Sequence, residues 1–332
     1  MLPDLSFCKT LPKVECLQEI WESRRDKEPN FSLEAPNIVL ASDKVGQSVE
    51  TYLYSLVNTL DAIRYATRSV LSAFADDGVV YLELRTTPRN LSGDDGDVIL
   101  FERIISAIVS VIEDWNGDHA ERMRAGLLLS IDRAKHSPVQ ATEIVDLAGR
   151  FRHEGRPVLG LDLCGDPNSP SDIAIFRSAF KLASERRLPF TIHFAEVPNS
   201  STERELAEIL SWNPSRLGHV IHVPLEMRQQ ILSSDIGLEL CLSCNVLAGM
   251  LPGERQGFVD HHFGWWWKAK GRISLGTDDV GVFASPSSEE HMLAAQHFGL
   301  SRQDLVRLSR TALTIAFGDT SAAQHTLEYH AW

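Results

Sequence analysis

The stretch GLLLSIDRAKHSPVQATEIVDLAGRFRHEGRPVLGLDLC (126–164) decides the fold. It begins with a short apolar run, passes through a longer amphipathic stretch, and ends in a second apolar run, VLGLDLC (158–164). Runs that are apolar on both parities read as strands buried on both faces. The same pattern extends outward in both directions. VVYLELR (79–85) precedes it, and FTIHFAE (190–196), RLGHVIH (216–222), IGLELCLS (236–243) and ISLGTDD (273–279) follow, with KVE (13–15) near the start. Helix-like segments lie between them, among them 49–78, 98–115 and 173–187, with apolar residues at i, i+3 and i+4. Strand followed by helix, about eight times, predicts one α/β domain over residues 1–332, a (β/α)8 TIM barrel. A doubly wound open sheet is the competitor, but no Gly-rich phosphate fingerprint follows an early strand.

Composition narrows the function. The 332 residues are 43% hydrophobic and 23% charged, ordinary globular values that argue against disorder. The net charge of -13 makes nucleic acid or an anionic membrane a poor partner, while a small anionic substrate stays open if its pocket is locally basic. Five Cys, an odd and sparse set, predict reduced thiols and a cytoplasmic home. The start MLPDLSFCKT has no apolar core of a signal peptide, and no apolar run approaches the ~18 residues of a membrane span.

Chemistry-bearing residues collect where the strands end. Arg85, Thr86, Thr87, Pro88 and Arg89 end the second strand, Asp132 and Arg133 the third, and Asp162 and Gly165 the fourth. His193 and Glu196 lie on the fifth, His219 and His222 on the sixth, Ser243 and Asn245 on the seventh, and Asp278 and Asp279 on the eighth. In a barrel these C-terminal ends converge on one mouth. His193, His219 and Asp278 are zinc-type ligands, and Glu196 is a candidate proton carrier. A lone His on an apolar strand is more often a core residue, so the set carries the reading. His193 and Glu196, three apart, share a site only if the strand bends at its end. Cys241 and Cys244 form a single CxxC without the second pair of a zinc ribbon, and Trp265, Trp266 and Trp267 read as helix packing, with His261 and His262 beside them.

The motifs LPKVE (11–15), YLELRTTPR (81–89), GLDLCGDP (160–167), HFAE (193–196), RLGH (216–219), ELCLSCN (239–245) and SLGTDD (274–279) resemble the adenosine/AMP deaminase family, in its order and over nearly the whole chain. The D-R pair at 132–133 and T-T-P-R at 86–89 point to its adenosine deaminase-like branch, the N6-methyl-AMP deaminases. The resemblance implies a barrel of the metal-dependent hydrolase type, one Zn2+ per chain, a monomer, and a small purine nucleotide as the ligand. It implies His193 and Asp278 as zinc ligands, Glu196 as the acid that protonates purine N1, and His219 as the group that orients the attacking hydroxide and handles its proton. Asp279 would hydrogen-bond N7 and the Gly165 N–H would meet N3. Thr86, Thr87, Pro88 and Arg89 would receive the 5′-phosphate, and Asp132 a ribose hydroxyl.

One departure matters. The family's first strand ends in His-x-His, two further zinc ligands, but here LPKVE runs into CLQEIWESRRDKEPN, and the first His of the chain is His119. About a dozen residues of the family pattern are missing, including the end of a truncated first strand. Losing two ligands predicts weakened zinc binding and impaired turnover. Two alternatives stay open: an adenosine deaminase, and a catalytically dead barrel that binds purine nucleotides.

Overall fold

The computed structural model describes residues 57–92, 98–254 and 256–330. The strand expected at 13–15 lies outside them, and so does the question of its truncation. Helix α1 (Leu60–Asp76) starts where the Thr59 hydroxyl caps the Ala62 N–H, and it stops before Gly78, whose φ of 86° breaks the helix. Strand β1 (Tyr81–Thr86) follows. The chain then forms a small antiparallel pair, β2 (Leu91–Ser92) with β3 (Val98–Ile99). That pairing takes the β-branched Val98 and Ile99 out of the helix expected from 98, so α2 runs Phe101–Asp118. Its buried stripe is Ile104, Ile105, Ile108, Val109, Ile112 and Trp115.

The stretch 126–164 is a βαβ unit. Strand β4 (Arg124–Asp132) is buried at every position but the first. Helix α3 (Pro138–His153) opens with a capping box between Ser137 and Gln140. Strand β5 (Val158–Cys164) then pairs parallel with β4. The alternation continues through α4 (Arg177–Glu185), β6 (Phe190–Phe194), α5 (Glu203–Ser211), β7 (Arg216–His219), α6 (Leu225–Leu232) and β8 (Gly237–Leu240). It ends with α7 (Leu242–Leu247), α8 (Phe263–Lys268), β9 (Ile273–Leu275), α9 (Val280–Phe283), α10 (Ser287–Phe298), α11 (Arg302–Ile315) and α12 (Ser321–His330). Among the described residues the main sheet has seven strands, all parallel, in the order β1-β4-β5-β6-β7-β8-β9. Trp266, fully buried, and its neighbours on α8 pack as expected. No helix of the described residues is long and apolar enough to cross a membrane.

Beneath the strand ends the interior carries an ion ladder rather than hydrocarbon alone. Arg216 donates to Glu83 at 2.6 Å and lies 2.8 Å from Glu239 through Nε, off the N–H direction, so the second contact is charge pairing. Its guanidinium also covers the Phe317 ring, 3.5 Å from the centroid. Arg85 pairs with Glu239 and reaches Asp162 at 3.4 Å. Burial works against the charged Glu239 carboxylate, but Arg85 and Arg216 hold its pKa down at about 2. A buried carboxylate is tolerated only when paired in this way.

Candidate active site

Among the described residues, a cavity of about 970 Å3 runs along the two outer strands, β1 and β9, beside α1 and reaches the strand ends. His193, His219, Asp278 and Asp279 face it. One ligand atom each of His193, His219 and Asp278 lies within 4.8 Å of the others. This is the only such group of three or more found among the described residues.

The chain reaches this convergence by bending where the strands end. Ala195, His219, Val220 and Asp278 have φ values of 52°, 61°, 48° and 50°. Left-handed backbone costs such residues about 1–3 kcal/mol and clusters at functional sites. These bends also end β6, β7 and β9 earlier than the apolar runs predict. The bend at Ala195 is pinned by Val220 N–H to the Phe194 carbonyl at 3.0 Å and His222 N–H to the Ala195 carbonyl at 2.8 Å. It solves the three-residue spacing problem, since Glu196 now sits 3.8 Å from His219 Nε2. His222, left out of the set, is turned to the Met250 carbonyl.

Each polar group is held from behind. His193 Nδ1 lies 3.2 Å from Asp162 Oδ1 and 3.0 Å from the Leu163 carbonyl, so it donates to oxygen there and leaves Nε2 for the cavity. Asp162, 1% exposed, also accepts from Ser130 at 2.9 Å. Burial opposes the His193 charge, yet Asp162 and Glu196 outweigh it and raise the ring's pKa to about 10. The pocket therefore selects positive charge. Asp278 accepts from the Cys244 thiol at 2.8 Å, and burial with the nearby Asp278 charge pushes that thiol up, so it stays a donor. His219, 3% exposed, faces the Asn245 amide nitrogen at 3.0 Å through Nδ1.

Other expected residues fall elsewhere. Thr86, Thr87 and Arg89 line a smaller cavity of about 200 Å3, which shares Val57, Leu84 and Arg85 with the large one. Arg89 donates to the Val57 carbonyl at 2.7 Å. Pro88 is buried, and its carbonyl accepts from His136 Nε2 at 2.9 Å. Asp132 spends Oδ1 on the Ala134 and Lys135 amides at 2.8 and 3.0 Å, which closes the loop after β4. Gly165, at φ 101°, packs on that same carboxylate, and a Cβ there would meet Asp132 Oδ1 at 2.3 Å. Neither residue lines the two cavities. The sequence placed Asp162 and Asn245 among the strand-end residues at the mouth and left His261 and Cys244 beside it, but assigned none of the four a specific task. Only their strand-end or helix-start positions could have flagged them.

The donor set suits a divalent cation: one imidazole whose Nε2 a cation can take in place of its proton, one carboxylate, and an excess of negative charge around them. Residues 47–329 match the adenosine deaminase family. The N6-methyl-AMP deaminase of Bos taurus is 33% identical over 81% of this chain and 75% of its own length. The N6-mAMP deaminase of Arabidopsis thaliana is 31% identical over 96% of each chain. An arabidopsis structure, ADAL complexed with IMP, superposes with a TM-score of 0.81 at 25% identity, over 98% of both chains. Strand-end histidines and an aspartate gathered on a parallel barrel-type sheet, in a chain matched over 47–329, place this protein in the adenosine deaminase family.

Proposed function

We propose that the chain is a zinc-dependent hydrolase that converts N6-methyl-AMP to IMP and methylamine, with turnover lowered by the missing His-x-His. The observation that carries it is the meeting of His193, His219 and Asp278 within 4.8 Å. The relatives named N6-methyl-AMP deaminase and the IMP-bound arabidopsis neighbour support the substrate class.

His193 and Asp278 would hold the cation. When bound, zinc supplies Lewis-acid activation of a water. Glu196 carries a proton to N1 of the purine, which makes C6 electrophilic. His219 orients the attacking water, and the C6–O bond forms on the face it marks. The C6–N bond then breaks as its nitrogen takes the proton that the water released through Glu196, methylamine leaves, and the C6 hydroxyl returns its proton to Glu196. Asp279, in the same cavity, hydrogen-bonds N7. Thr86, Thr87 and Arg89 take the phosphate from the adjoining cavity, Arg89 trading its bond to the Val57 carbonyl for a stronger charged acceptor. The N–H of Gly165 and the carboxylate of Asp132 stand by the purine and ribose only if the loops after β4 and β5 move toward the cavity.

The test is release of methylamine from N6-methyl-AMP by the purified chain with zinc present. A second form carries the family's His-x-His segment restored after Glu15. Slow turnover by the first and at least about 100-fold faster turnover by the second is expected, since outer ligands and supports each carry 10–100-fold effects. Absence of turnover in both forms sinks the reading and favours a nucleotide-binding barrel. Arg89→Ala should raise KM for the nucleotide far more than for N6-methyladenosine, and equal loss for both removes Arg89 from the phosphate site.

A further inference from the structure

Asn245 and His261 have no part in the chemistry above, yet they are among the most buried polar groups, 0% and 3% exposed. They form one directed chain. The Phe263 N–H donates to His261 Nδ1 at 3.0 Å. His261 Nε2 lies 3.1 Å from Asn245 Oδ1, and Asn245 Nδ2 lies 3.0 Å from His219 Nδ1. A backbone amide can only donate, and it cannot be flipped, so it sets the polarity of everything after it. His261 Nδ1 must be bare, and its ring proton therefore sits on Nε2 and goes to the Asn245 oxygen. That leaves the Asn245 NH2 facing His219, whose Nδ1 must accept. The proton of a neutral His219 can then only be on Nε2, the nitrogen nearest Glu196 at 3.8 Å.

We propose that Asn245 and His261 are positioning residues that lock His219 in its Nε2–H tautomer, so that it donates to the nucleophilic oxygen and can neither ligate the cation nor accept the water proton. The assignment of a catalytic consequence rests on the deaminase reading; the tautomer itself does not. Two further contacts support the lock. His262 Nε2 donates to the His219 carbonyl at 2.5 Å, which fixes the backbone at its left-handed φ. Burial lowers the His261 pKa to about 3, which keeps its Nδ1 free to accept. A metal-bound imidazole usually presents its second nitrogen to an oxygen as an N–H donor. His193 has that arrangement and His219 has the reverse. The proton released as the C6–O bond forms then passes to Glu196 and on to the departing methylamine nitrogen, while His219 keeps its own.

The test is long-range 1H–15N NMR of the full chain labelled in its histidine rings, with His219 assigned by its loss in His219→Gln. A bare Nδ1 and a protonated Nε2 on His219 at neutral pH are expected. In Asn245→Asp the carboxylate can only accept, so the His219 proton moves to Nδ1. The same variant should lower kcat on N6-methyl-AMP about 100-fold, the scale of one proton-handling group, with KM changed much less. His261→Gln, which keeps a donor toward Asn245, retains the wild-type tautomer. A wild-type His219 protonated on Nδ1 overturns the proposal even if the buried variants do not fold. So does an unchanged His219 spectrum in a folded Asn245→Asp protein. The expected tautomer without any turnover upholds the lock and counts only against the deaminase reading.

Discussion

Two walls of the cavity hold two histidines whose ring centres stand 5.1 Å apart. The wall made by β5 and β6 gives His193 oxygen neighbours, Asp162 and the Leu163 carbonyl. The wall made by α7 and the segment before α8 gives His219 an amide nitrogen, from Asn245. The difference teaches that the nitrogen facing away from the cavity decides what the other one can do. Oxygen behind the ring frees a lone pair in front, and a donor behind it puts a proton in front.

The strongest way to break this comparison is to remove each ring. His193→Ala should strip zinc from the protein after dialysis, as read by metal analysis. His219→Ala should keep its zinc and lose about 10²–10⁴-fold in turnover. Equal loss of zinc in both would mean that the two walls do the same work. A sharper version leaves both rings in place. Asp162→Asn should weaken zinc binding about 10–100-fold by competition titration, whereas Asn245→Ala should leave it nearly unchanged.

A third test uses pH. Burial holds the His261 pKa at about 3 against an ordinary 6.5. The folded value is the lower one, so the unfolded chain takes up the proton first as pH falls. Stability is therefore complete above pH 6.5 and declines between 6.5 and 3, by about 1.4 kcal/mol per unit. The urea midpoint should drop between pH 7 and pH 5, and His261→Gln should flatten that drop. His136, His222 and His262, shifted the same way by burial, contribute to what slope remains. The smallest effect is expected at Cys244, whose thiol donates to Asp278. Cys244→Ser keeps a donor and should change zinc affinity little. Cys244→Ala removes it at a cost of about 1 kcal/mol, and an equal response in the two variants would show that the contact is idle.

Much of this was legible in the chain. The strands of the 126–164 unit declare themselves because both of their faces are buried, so apolar residues run unbroken through them. Even His193, His219, Glu196 and Asp278 can be picked out, because polar groups at the ends of apolar runs are costly unless used. The ends of the strands were not legible, since Val220 or Asp278 in left-handed backbone is a property of the assembled site and not of local preference. The task of Asn245 and His261 was hidden for a different reason. They stand 16 residues apart, and their meaning lies in the direction of a hydrogen bond that only the fold supplies. Arg89 was read as a phosphate donor from its loop position and the family resemblance, and the Val57 carbonyl to which it donates comes from the start of the described chain.

The Glu83 carboxylate has a consequence for how the molecule is made. It accepts from the Phe317 and Gly318 amides, 2.6 and 3.2 Å away, across 234 and 235 residues of chain. Strand β1 emerges from the ribosome early, and its acid must wait for nearly the whole polypeptide before the clasp can close. Contacts so distant in sequence form late, because loop closure must precede them. Until then the Tyr81 hydroxyl, 2.8 Å away and only two residues distant in sequence, and Arg216, paired with Glu83 at 2.6 Å in the finished protein, can shield that charge. The acid of β1 is thus the group of the nascent chain that waits longest for its partners, and the place where a chaperone has most reason to hold on.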